Sequence, residues 1–130
     1  MKFWKNETIL QNYYSKKGVF KIGPEKQFEE KVKSYLRTRG AYFVKFFANG
    51  FTRSGVPDIL ACVNGQFIGI EVKAQNGKPS ELQLHNIRAI NQAGGFGFIL
   101  YPSAFEVFKA FINVLDQYKP LRNTLPEIWR

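Results

Sequence analysis

The sequence holds 130 residues, 45% of them apolar, enough for one compact domain with a proper core. Nineteen Lys and Arg against ten Asp and Glu leave a net charge of +9, which points to a polyanionic partner. No apolar run is long enough to span a bilayer, and the single cysteine, Cys62, excludes a disulfide framework and a cysteine zinc site.

Residues 1–22 are aromatic and basic, with Phe3, Trp4, Tyr13, Tyr14 and Phe20 among Lys16, Lys17 and Lys21, and a short helix is expected near 7–15. Met1 to Glu7 carry no signal-peptide apolar stretch. There is no basic amphipathic helix to lie on lipid and no lipidation motif. A membrane is therefore not expected as partner, and the chain reads as cytoplasmic. Pro24 suits the first turn of a helix. From there to Arg39 the apolar stripe Phe28, Val32, Tyr35 and Leu36 has helical spacing, and Gly40 stops it. Ala41 to Phe47 reads as a strand, followed by a glycine-bracketed basic loop over 49–55.

Two further strands form a hairpin. Asn64-Gly65 is a strong type I′ turn signal, because both residues tolerate positive φ. With those two in the turn, Val63 stands opposite Gln66 and Asp58 opposite Glu71. A loop over 75–79 follows, then a helix from the Ser80 cap to about Ala93, ended by Gly94-Gly95. Phe96 to Tyr101 reads as a strand. Ser103 is expected to cap a last helix to about Tyr118, with Glu106 completing a capping box. Residues 119–130 read as a tail in which Trp129 packs. No repeats or low-complexity segments interrupt the series. The order helix, three strands, helix, strand, helix predicts an α/β fold with a mixed four-stranded sheet flanked by helices.

The chemistry concentrates in the hairpin. Carboxylates directly across a ladder repel, so Asp58 and Glu71 call for something positive between them, and a divalent cation answers that. Lys73 is two residues beyond Glu71 and shares its face, whereas Ile68, Ile70 and Val72 point to the core. Taken separately, Pro57-Asp58 would be a turn and Glu71/Lys73 an exposed ion pair; the pairing register is what favours a site. Glu25 and Glu29 border the apolar stripe of the first helix. Glu25 is explained by the helix dipole, so Glu29 is preferred as a third carboxylate, with Glu25 held in reserve. Oxygen donors without a His or Cys cluster favour Mg²⁺ or Mn²⁺ over zinc. Such an ion can acidify a bound water and neutralise charge on a phosphorane-like transition state. Lys73, among carboxylates, keeps its charge and serves as an orienting or neutralising group, not a free-amine base.

Ser80-Glu81-Leu82-Gln83 is a capping box, which explains Gln83 structurally and leaves a functional role equally open. The lone His85 reads as structural or solvated, and Cys62 as a small buried apolar residue. Gly94-Gly95-Phe96-Gly97 follows a helix and opens a strand, the reverse of a phosphate cradle, so no nucleotide cofactor is expected. Lys45, Arg53 and Lys78 flank the acidic edge and are expected to contact DNA phosphates.

Asp58 with Glu71-Val72-Lys73 resembles the PD-(D/E)xK nuclease motif. The wider series is Glu29, Gly40, Lys45, Gly55-Val56-Pro57-Asp58, Gly65, Ile70-Glu71-Val72-Lys73, Gly77-Lys78-Pro79-Ser80, Gln83 and Gly94-Gly95. It resembles the VRR-NUC (virus-type replication-repair nuclease) branch, close to archaeal Holliday-junction resolvases, over about residues 24–101. The resemblance implies a restriction-endonuclease-like core and Mg²⁺- or Mn²⁺-dependent phosphodiester hydrolysis. It also implies a metal held by Asp58, Glu71 and the Val72 carbonyl, with Glu29 direct or through water, and it raises the functional reading of Gln83. A structure-selective DNA endonuclease working as a homodimer on branched DNA, such as four-way junctions, is the resulting expectation. Flap, nicking or restriction-like cleavage, or DNA binding without catalysis, are the alternatives. A single nuclease domain is expected, with 1–23 as extension, 24–101 as core and 102–130 as C-terminal helix and tail, in a bacterial cytoplasm and with a phage origin open.

Overall fold

The computed structural model describes residues 22–47, 54–117 and 126–129. Helix α1 (Pro24–Thr38) leads into strands β1 (Tyr42–Lys45), β2 (Ile59–Val63) and β3 (Gln66–Val72), then helix α2 (Glu81–Gln92), strand β4 (Phe96–Leu100) and helix α3 (Phe105–Gln117). The strands form one sheet in the order β1-β2-β3-β4. The first three are antiparallel and β4 runs parallel to β3, the crossover being made by α2. The fold is thus α/β, a mixed four-stranded sheet with helices on its faces, in the element order read from the sequence.

The β2–β3 hairpin closes as its turn residues dictate. Asn64 and Gly65 both have positive φ, 50° and 82°, and Val63 pairs with Gln66 and Ile59 with Ile70. That register sets Asp58, one residue before β2, beside Glu71.

One sheet face carries Ile59, Ala61, Val63, Ile68, Ile70, Val72 and Leu100 into the core. Phe28, Val32 and Leu36 of α1 and Phe108, Ile112 and Leu115 of α3 cover it. Burying such side chains supplies roughly 1.5–3 kcal/mol each. Phe28 and Phe98 meet Phe105 and Phe108 at ring-centroid distances of 5.6 and 6.2 Å. Tyr35 ties α1 to α3 by donating its hydroxyl to Asn113 Oδ1 at 2.7 Å.

The opposite face is covered differently: α2 packs on β4 and β3. It lies close because Gly69 and Gly97 are register partners beneath it. A Cβ on Gly69 would stand 2.5 Å from Ile90 Cδ1, and one on Gly97 2.8 Å from the Ile87 carbonyl. Among the described residues no helix lies over the β1–β2 half of that face. Cys62 is therefore exposed, not buried as expected: its apolar neighbours Tyr42 and Phe67 are themselves 75% and 48% exposed.

Two other expectations change. The first strand is shorter than 41–47, although Phe46 N–H still reaches the Asp58 carbonyl at 2.7 Å. The Ser103–Glu106 capping box does not form. Pro102–Ala104 makes a 3₁₀ turn ahead of α3, the Ser103 N–H goes to Gln75 Oε1 at 3.1 Å, and Glu106 pairs with Lys109. The expected helix near 7–15 and the N-terminal aromatics lie outside the described residues. Of the tail, Glu127–Trp129 is a 3₁₀ turn, and the expected packing of the Trp129 side chain also lies outside them. Among the described residues no helix is long and apolar enough to cross a membrane.

Candidate active site

Asp58 and Glu71 are laced together by their own backbones. Asp58 N–H donates to Glu71 Oε2 at 3.2 Å, and Val72 N–H donates to Asp58 Oδ2 at 3.1 Å. The antiparallel register fixes both N–H donors, so each carboxylate is held by the strand opposite it. Lys73 Nζ stands 3.3 Å from Glu71 Oε1. The same oxygen accepts a 2.6 Å hydrogen bond from Gln83 Nε2.

Gln83 is therefore not a choice between cap and site. Its Oε1 accepts the Ser80 N–H at 2.8 Å while its backbone N–H donates to Ser80 Oγ at 3.2 Å, completing the capping box. The remaining end of the amide reaches Glu71. Close seating of α2 over Gly69 and Gly97 puts that first turn within range.

Glu29 enters from α1, buried at 4% exposure, while Glu25 remains on the exposed first turn. Glu29 does not stand free to meet a cation. Its Oε2 receives Lys26 at 2.7 Å and Lys33 at 3.7 Å, and its Oε1 receives Lys45 at 2.5 Å. Lys45 Nζ also donates to Asp58 Oδ1 at 3.2 Å. Lys45, expected at the DNA, is thus turned into the acidic cluster, and its ammonium links Glu29 to Asp58. Among the described residues no group of three His, Cys, Asp or Glu side chains is placed to hold a metal ion. The three-carboxylate arrangement expected from the sequence is instead a facing pair, Asp58 and Glu71, with Glu29 joined through a lysine.

The two ends differ in charge preference. Burial pushes the Glu71 carboxyl up, the Asp58 charge adds to it, and Lys73 and the Asp58 N–H offset only part, leaving it at about 7. Burial also acts upward on Glu29, but hydrogen bonds from Lys26 and Lys45 outweigh it and hold the carboxyl below its usual value. Burial pulls the Lys45 ammonium down; its hydrogen bond to Glu29 and the Asp58 charge reverse this and raise it.

Lys78 is exposed in the loop before α2, and Arg53 lies outside the described residues. His85 is exposed. Asn86, which the sequence reading passed over, is buried and donates from Nδ2 to the Leu82 carbonyl at 2.8 Å and the Ser54 carbonyl at 3.4 Å, pinning the end of the basic loop to α2. Lys26 and Lys33 were also missed, although their i−3 and i+4 spacing from Glu29 was a readable signal.

The donor set fits a hard divalent cation. Mg²⁺-type ions commonly take one or two carboxylates and complete their shell with water and phosphate oxygens. Here two carboxylates face each other, neither His nor Cys is hydrogen-bonded to them, and the raised Glu71 carboxyl marks negative charge that a cation would relieve. Among known families, the model described as archaeal Holliday junction resolvase (hjc) matches residues 21–99, more than half the chain. No curated protein matches the sequence. With its restriction-endonuclease-like sheet and its Asp58, Glu71 and Lys73 grouping, the chain belongs to the archaeal Holliday junction resolvase family of PD-(D/E)xK-type nucleases.

Proposed function

We propose that this nuclease of the Holliday junction resolvase family cuts branched DNA with Mg²⁺ or Mn²⁺ held by Asp58 and Glu71, with the Val72 carbonyl as a further oxygen donor. The observation that carries this is the backbone-locked meeting of Asp58 and Glu71 with Lys73 at 3.3 Å. The bound ion would supply Lewis acidity and an acidified water for phosphodiester hydrolysis.

The chain's own residues do the rest. The lattice of β2 and β3 orients Asp58 and Glu71 before substrate arrives, so little reorganisation is needed. Gln83 fixes the rotation of Glu71. Lys73, beside Glu71, neutralises charge on the scissile phosphate or orients the attacking water. Glu29 acts through Lys45. Arg53 and Lys78 contact phosphates away from the cut and position the duplex without reading its sequence.

A homodimer suits a substrate that needs two matched cuts, and the exposed apolar side chains of Tyr42 and Val44 on β1 and Phe67 on β3 are consistent with one. The wider motif series supports the VRR-NUC branch. We take residues 24–101 as the nuclease core, 1–23 as an extension and 102–130 as a C-terminal helix and tail, acting in the cytoplasm of a bacterial cell, with a phage as one source.

The test is cleavage of end-labelled four-way junction, flap, nicked and linear DNA by wild type and Lys73→Ala, with and without Mg²⁺ or Mn²⁺. Metal-dependent cutting of the junction in preference to the linear duplex, lost in Lys73→Ala, is expected. DNA binding without cleavage of any substrate in either metal would overturn the reading in favour of a binding module.

A further inference from the structure

The Asp58 carboxylate has one oxygen committed to the backbone: Oδ2 accepts the Val72 N–H. Its other oxygen, Oδ1, takes no backbone donor and so is the freer one to meet a cation, and it already accepts the Lys45 ammonium at 3.2 Å. That ammonium is held from its other side by Glu29, and its side chain is 19% exposed, so it is well placed and poorly screened. The Phe47 ring centroid lies 5.8 Å from it, a further site favourable to a cation.

An ammonium and a divalent ion on one carboxylate oxygen would be cations in near contact at a partly buried site, where repulsion is strong. We propose that Lys45 is a built-in counter-cation: it occupies Asp58 Oδ1 while no divalent ion is bound, competes with that ion for the oxygen, and withdraws onto Glu29 when the ion enters. Glu29 gives it a place to go, since that carboxylate already accepts the ammonium and is part of the lysine cluster of α1. Lys45 thus sets the metal affinity of the site without touching the reacting phosphate. The inference rests on the reading of Asp58 and Glu71 as the metal pair.

A structural ion pair predicts the opposite sign. If Lys45 only braced Asp58, removing it would loosen the carboxylate and weaken metal binding. If it competes, removing it strengthens binding, by linkage of two ligands at one site. The experiment is calorimetric titration of Mn²⁺ into wild type, Lys45→Met, Lys45→Gln and Glu71→Gln, with no DNA present, alongside thermal melts with and without Mn²⁺. Lys45→Met keeps the stem and removes the charge, and Lys45→Gln keeps a donor should the methionine variant fold poorly. About fivefold or greater tightening of Mn²⁺ is expected in the lysine variants, with a larger Mn²⁺-induced rise in Tm than wild type shows. Affinity that is unchanged or weaker in a lysine variant that melts cooperatively overturns the inference while leaving the metal pair intact, provided Glu71→Gln abolishes binding. No Mn²⁺ binding by wild type would instead overturn the metal reading and this inference with it.

Discussion

Glu29 on α1 and Glu71 on β3 are the same side chain at nearly the same depth, 4% and 2% exposed, yet their surroundings drive them apart. Glu29 has Lys26, Lys33 and Lys45 around it and keeps its charge readily. Among the described residues Glu71 has one ammonium, one amide and a facing carboxylate, and its carboxyl rises to about 7. Burial acts upward on both, so the number of positive partners decides. A glutamate with its charge already matched anchors other groups. One left under-compensated is where an added cation gains most.

The sharpest way to break that comparison is to neutralise each in turn. Glu71→Gln should lower the cleavage rate by roughly 10²–10³-fold, whereas Glu29→Gln should cost roughly 10–100-fold, the usual loss for a group acting through a metal ligand. Single-turnover cleavage of a four-way junction at saturating Mg²⁺ measures both. Equal losses would remove the distinction between anchor and ligand.

The next effect is on stability without metal. Because the Glu71 carboxyl is raised from its ordinary 4.5 to about 7, the folded chain holds a proton that the unfolded chain has released between those pH values. Stability from this group is therefore greatest at the acid end and falls as pH rises through the window, by about 3 kcal/mol at most. Glu29 has the opposite sign: its contribution is present above the ordinary carboxylate range and is lost as pH falls through its lowered value. Urea unfolding in chelator across pH, for wild type and Glu71→Gln, should show a decline that the variant lacks.

The smallest effect separates the two ends of one amide. Gln83→Glu keeps an oxygen for the Ser80 N–H but sets a second carboxylate against Glu71, while Gln83→Ala loses both bonds. The alanine variant should lose about 1 kcal/mol of stability; the glutamate variant should keep most of that in metal and still cut roughly tenfold more slowly. A glutamate variant as active as wild type would leave Gln83 as a cap alone.

The hairpin and both ends of α1 and α2 were legible in the sequence because their signals are local. Asn64-Gly65 fixes a turn, the turn fixes the register, and the register brings Asp58 to Glu71; Ser80 and Gln83 announce a cap. What was not legible depends on which element lies over which. Cys62 is exposed because α2 sits on β3 and β4 and not on β2. Lys45 turns into the acids because β1 pairs with β2 across a long loop, and that pairing, Lys45 with Ile59, leaves no trace in spacing. The capping box at Ser103 fails because Pro102 imposes a tighter turn and a distant side chain, Gln75, takes the N–H. The Ser103–Glu106 pattern satisfies a local rule that a tertiary partner overrides.

Gln83 has one last implication. The amide that winds the first turn of α2 is also the one that reaches Glu71, so fraying a few residues at that helix start would release Glu71 and slow cutting while the sheet stayed whole. Warming would then lower the cutting rate before it melted the sheet, because helix ends open at less cost than the core.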